Sequence, residues 1–139
     1  MTDMVLIWIS RIALLGFAYV LGQGIFAILD PQDLADRIWL TLEQPMSATY
    51  LRIGFGAMPF SLAVLALACA TRPAWFHIAF VVGLVNAATV ISTRFVGIAL
   101  DGGARQYSLL AIESTVMSAL VIGCLANIYR LRRAKAAVG

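Results

Sequence analysis

Apolar residues fall in four long runs, roughly 12–29, 50–70, 74–100 and 106–129, with polar positions gathered between the runs and at both ends. Each run is near or above the ~20 residues that carry a helix across ~30 Å of hydrocarbon. Inside the runs there is neither period-2 alternation nor short, regular strand spacing, which disfavours an outer-membrane barrel. The pattern predicts an all-α fold: an integral membrane four-helix bundle forming one domain over 1–139, whose last residues, 130–139, are a basic tail.

The longest connection, "DPQDLADRIWLTLEQPMSA", exceeds what joining two helices requires. Asp30 suits an N-cap, Pro31 the first helical position and Asp33 the positive helix end. Leu34, Ile38, Trp39 and Leu42 share one face, while Asp33, Asp36, Arg37 and Glu43 lie largely elsewhere. This predicts a short amphipathic interfacial helix over 33–42, between the first two spans and ended by Pro45. It is expected to lie flat on the outer surface, as a cover for helix ends or as a functional lid.

Composition supports the membrane reading. The chain is 62% hydrophobic and 12% charged, against about a quarter charged in soluble domains, and its mean hydropathy is +0.92. The N-terminus lacks a basic region ahead of its apolar stretch and a small-residue cleavage pattern after it, so no cleaved signal peptide is expected. Residues 5–10 are expected to make a short interfacial approach ending at Arg11, with Trp8 as a headgroup anchor; the alternative puts Arg11 one to two turns inside the first helix.

Charge then orients the bundle. Arg72, Arg130, Arg132, Arg133 and Lys135 fall on one side, whereas the other holds Arg37 and Arg105. This asymmetry predicts that both termini are cytoplasmic. The basic tail is suited to anionic lipid headgroups, and nothing further in the chain suggests a nucleic-acid partner.

Small residues recur where membrane helices approach closely: Gly16, Gly22 and Gly24, then Gly54, Gly56 and Ala57, then Gly83 and Ala87, then Ser114 and Ser118. Pro59 is expected to bend the second helix. "RIGFG" is not a nucleotide fingerprint, since no strand precedes it, and no cofactor is implied. Cys69, Cys124 and His77 lie at a similar level. Their spacing lacks the close ligand pairs of a zinc site, and they read as packing thiols and an interfacial imidazole.

The chemistry concentrates elsewhere. Arg94 lies six residues, or about 9 Å, from the outer end of its apolar run. A guanidinium there costs several kcal/mol unless something binds it. Antiparallel threading brings Arg52, Arg94 and Glu113 to similar depths, with Gln23 in the same zone, Tyr19 one turn below it and Asp30 about two turns above. Arg94 aligns with Asp101, Gln106 aligns with Glu113, and Arg52 begins a stripe with Gly56, Pro59 and Ala63. Glu113 is therefore the expected partner of Arg94. One positive charge is left over, to be met either by the rim acids Asp30 and Asp101 with lipid phosphates, or by an anionic ligand between the arginines.

With these motifs the chain resembles an uncharacterised bacterial family of four-helix membrane proteins, catalogued as a domain of unknown function and distantly similar to DoxX-like proteins. The resemblance rests on Asp30-Pro31, "RIGFG" with Arg52 and Gly56, "RFVGIALDG" with Arg94, Asp101 and Gly102, and Glu113 in "LLAIES". It implies a four-helix inner-membrane fold and supports singling out Arg52, Arg94, Asp101 and Glu113. It implies no reaction.

Three functions stay open. The first is binding or carrying a small anionic or amphiphilic molecule at an Arg/Glu cluster in the outer half. The second is an accessory or scaffold role in a homo-oligomer or larger membrane complex, the cluster being structural. The third is catalysis, which no Ser/His/Asp, Cys/His or two-carboxylate arrangement supports.

Overall fold

The computed structural model describes residues 3–38, 40–42, 45–101 and 104–137, without the side chains of 45, 101 and 104–106. Trp39, Glu43 and Gly102 lie outside the described residues. The helices are α1 (Asp3–Gly22), α2 (Gly24–Leu29), α3 (Pro31–Ile38), α4 (Pro45–Leu51), α5 (Met58–Thr71), α6 (Phe76–Asp101) and α7 (Ala104–Ala136). A π-helical turn, Arg52–Ala57, joins α4 to α5, and a 3₁₀ turn, Pro73–Trp75, leads into α6. Among the described residues, four helical stretches are long and apolar enough to cross a membrane: Asp3–Leu29, Met46–Thr71, Pro73–Leu100 and Tyr107–Ala136. The fold is an all-α membrane bundle with a short helix between its first two spans.

The start of α1 and the end of α7 share one end of the bundle, termed its lower end. In that half α1 packs mainly on α5 and α7, and α6 on α7. The core is concentrated there: Leu14, Phe17, Ala66, Cys69, Phe76, Phe80 and Leu120 are buried together. Phe76 and Phe80 meet edge to face, with ring centroids 6.4 Å apart, the arrangement that places a ring edge against a neighbouring π face.

The first helix begins earlier than residue 12. Residues 5–10 are part of α1, and Arg11 lies within that helix. The reason is tertiary. Leu6 and Ser10 are buried, and the Ser10 hydroxyl oxygen is 3.0 Å from the carbonyls of both Leu6 and Gly123, so this stretch has a helix to pack against. Gly123 permits that approach, because a Cβ built on it would stand 2.6 Å from the Cβ of Ala13 and 2.8 Å from the Phe80 ring.

Two distortions shape the upper half. At Gln23 the first span breaks into a turn, with Gln23 N–H donating to the Val20 carbonyl at 3.4 Å and Phe26 N–H to the Gln23 carbonyl at 3.1 Å. Flanking Gly22 and Gly24 are poor helix formers, which makes a break inexpensive at this point. In the second span, Pro59 has no N–H for the carbonyl one turn earlier. The chain widens just before it, so that Met58 N–H donates to Ile53, five residues back. A π turn thus stands just before Pro59, where the sequence leads one to expect a bend.

The two distorted segments pack on each other. A Cβ on Gly24 would lie 2.8 Å from the Gly56 carbonyl oxygen and 3.1 Å from that of Phe55, while one on Gly56 would meet Ile28 at 2.6 Å. The other expected close approaches divide. Gly83 and Ala87 are buried, but Gly16, Gly22 and Gly54 have nothing within 4 Å of a built Cβ, and Ala57, Ser114 and Ser118 are exposed.

The connecting helix starts as its sequence suggests: Asp30 Oδ1 accepts from Asp33 N–H at 3.0 Å, and Pro31 is the first helical residue. It ends four residues short of Leu42, because Leu40 N–H folds back to the Ala35 carbonyl at 2.8 Å and closes the last turn. Pro31 and Ala35 form its buried face and Leu34 is half-buried, whereas Ile38 is exposed. Pro45 opens α4 rather than ending this helix. At the other end, α7 continues through most of the basic tail, to Ala136.

Candidate functional site: a split polar zone and an upper cleft

Arg94 and Glu113 meet. The Arg94 Nε donates to Glu113 Oε2 at 3.2 Å and its Nη2 to Oε1 at 2.5 Å. Only 27% of the Arg94 side chain and 20% of the Glu113 side chain are exposed. Two parallel N–H···O bonds neutralise both charges and fix the planar guanidinium. The pair ties α6 to α7 near the upper end of the bundle. Asp101 ends α6; its side chain, like that of Gln106, is outside the described residues.

Among the described side chains, the rest of the expected cluster does not join this pair. Arg52 stands exposed at the start of the π turn, and its Nε donates to the Ile28 carbonyl at 3.2 Å. Ile28 is in the last turn of α2, where carbonyls lack intrahelical partners and a cation is favoured. Arg52 therefore acts as a C-terminal cap for α2. Gly56 and Ala63 of its stripe are buried and Pro59 is half-buried, so the stripe turns inward only below Arg52. Tyr19 is 72% exposed and faces away from the bundle, while the Gln23 amide donates to the Tyr19 carbonyl at 3.4 Å.

Matching depths did not bring these groups together because neighbours differ: α2 packs on the π turn, and α6 on α7.

Two members of the set, Gln23 and Asp30, line a cleft of about 580 Å³. Its walls are Val20, Leu21, Gly24, Phe26, Ala27, Leu34, Phe55 and Pro59, and its polar groups are Gln23, Asp30, Asp33 and Arg37. Arg37 Nε and Asp33 Oδ2 pair at 2.9 Å, one helical turn apart. The volume lies in the range of small-molecule sites, as does the mixture of apolar walls with a few polar groups. Sequence reasoning missed this cleft, since it exists only because the first span breaks and α3 folds over the break.

It also missed polar structure at the lower end. Asn127 is buried; Arg130 Nη2 donates to its side-chain oxygen at 3.0 Å and to the Pro73 carbonyl at 3.2 Å. The i,i+3 spacing of Asn127 and Arg130 was the available signal. Cys69 is buried in the core with half-buried Cys124 packed against it, and exposed His77 has Nδ1 3.0 Å from the Ala74 carbonyl.

No protein-family model matches the chain, and no curated protein or solved structure does.

Proposed function

We propose that this is a multi-pass protein of the bacterial inner membrane, with both termini cytoplasmic, that binds or carries a small amphiphilic molecule in the upper cleft. The cleft itself is the observation that carries this reading. An apolar moiety fits against Phe26, Phe55 and Pro59, and a polar head against Gln23 and Asp30. Asp30, Asp33 and Arg37 sum to one negative charge, so the cleft favours a neutral or cationic hydrogen-bonding head over an anionic one. An anionic molecule would instead be drawn to Arg52, which retains the positive charge that the closed Arg94–Glu113 pair does not cancel.

In this reading Arg94 lies within the apolar zone and Glu113 is its permanent counter-charge. That self-sufficiency favours a structural role for this pair, the element of truth in the scaffold alternative. The Lys/Arg asymmetry supports the orientation.

Native mass spectrometry of the purified protein tests the proposal. A small amphiphile retained by the wild type should be lost on Gln23→Ala or Phe26→Ala, both at exposed positions, and kept in the Arg94→Gln, Glu113→Gln double variant. Loss in the double variant with retention in Gln23→Ala would return the site to the ion pair. A stoichiometric protein partner without a small molecule would favour the subunit reading.

A further inference from the structure

At the lower end, Arg11 is anchored in a way that leaves most of its guanidinium unused. Its Nε donates to the Ala70 carbonyl at 3.0 Å, one of the last carbonyls of α5 and so without an intrahelical partner. Its guanidinium carbon is 5.0 Å from the centroid of the Trp8 ring. Among the described residues the terminal N–H groups have no hydrogen-bond acceptor.

Beside Arg11 runs a groove of about 440 Å³ between α1 and α5, lined by Arg11, Leu15, Leu67, Ala70 and Thr71. Leu15 lies one turn above Arg11, and Leu67 one turn above Thr71, so the apolar part extends about 6 Å toward the middle of the bundle. Both leucines are exposed. Among the described residues, no carboxylate lines the groove. Arg72 follows Thr71, its guanidinium carbon 4.6 Å from the centroid of the Trp75 ring. Arginine and tryptophan together are characteristic of the headgroup level of a bilayer.

We propose that this groove binds an anionic phospholipid, with the phosphate on the terminal N–H groups of Arg11 and an acyl chain between Leu15 and Leu67. Charge complementarity selects the occupant. Arg11 meets a net negative headgroup, whereas the ammonium of a zwitterionic lipid finds no acid among the described lining residues. A free phosphate would occupy Arg11 and leave the leucine slot unfilled.

The test is native mass spectrometry of the full chain in detergent with equimolar phosphatidylglycerol and phosphatidylcholine, and separately with inorganic phosphate. The wild type should retain phosphatidylglycerol in preference to the other two. Arg11→Gln should lower that adduct about fivefold, the factor expected for one basic residue near a lipid surface. Leu67→Trp, a substitution at an exposed position, should fill the slot and lower it too. Equal retention of the two lipids by the wild type, or an undiminished phosphatidylglycerol adduct in Arg11→Gln, would overturn the proposal. Should Arg11→Gln fail to fold, an undiminished adduct in Leu67→Trp would overturn it instead.

Discussion

Arg94 and Glu113 are joined by a bidentate ion pair across the α6–α7 interface, at 3.2 and 2.5 Å. The two side chains retain about a quarter and a fifth of their exposure. Removing one member of a buried pair costs about 3 to 5 kcal/mol, because the survivor is left uncompensated. With this residual exposure, Glu113→Gln and Arg94→Gln are each expected to cost about 3 kcal/mol, the lower end of that range. The double variant should lose less than the sum, with a coupling of about 0.5 to 3 kcal/mol. Unfolding of all four proteins in detergent or bilayer measures this; additive losses below about 0.5 kcal/mol would mean that the pair does not hold the helices together.

The Gly24–Gly56 crossing gives a second expectation. An added methyl on Gly24 must displace backbone oxygens of the π turn, at 2.8 and 3.1 Å, and backbone yields less readily than a side-chain end. Gly24→Ala should cost about 1 to 3 kcal/mol, the usual range for overpacking. Gly123→Ala, facing Ala13 and Phe80, should cost a similar amount. Gly16→Ala has open space and should be neutral, or stabilising by up to about 1 kcal/mol through helix propensity. Thermal unfolding of the three variants under one set of conditions ranks them, and equal losses at Gly16 and Gly24 would contradict the close crossing.

Topology gives the third. Reporter fusions at Gly139 and Gln44 should give a cytoplasmic signal for the first and an outside signal for the second. The opposite pattern would place the upper cleft and the Arg94–Glu113 pair in the cytoplasmic half, and the Arg11 groove in the outer leaflet.

Much of this architecture is legible in the chain because it depends on local quantities. The lengths of the apolar runs dictate spans, since each peptide group in hydrocarbon must be bonded within its own helix. Asp30, Pro31 and Asp33 mark a helix start through capping and φ restriction, and Pro59 marks a distortion through its missing N–H. Depth can also be counted along a helix, and that sufficed to pair Arg94 with Glu113.

What counting cannot supply is azimuth and neighbour. Four apolar helices offer nearly equivalent surfaces, so whether Gly16 or Gly24 faces another backbone depends on which pairs of helices come into contact. Arg52 matches Arg94 in depth, yet it caps α2, because the second span packs on the first at that level while α6 packs on α7. Leu6 and Ser10 look interfacial by hydropathy and become core because α7 passes beside them. The upper cleft required the break at Gln23 and the return of α3 over it. Helices and their spans thus follow from short-range bonding and transfer energies, whereas the assembly of sites follows from packing between residues far apart in sequence, which only the tertiary structure decides.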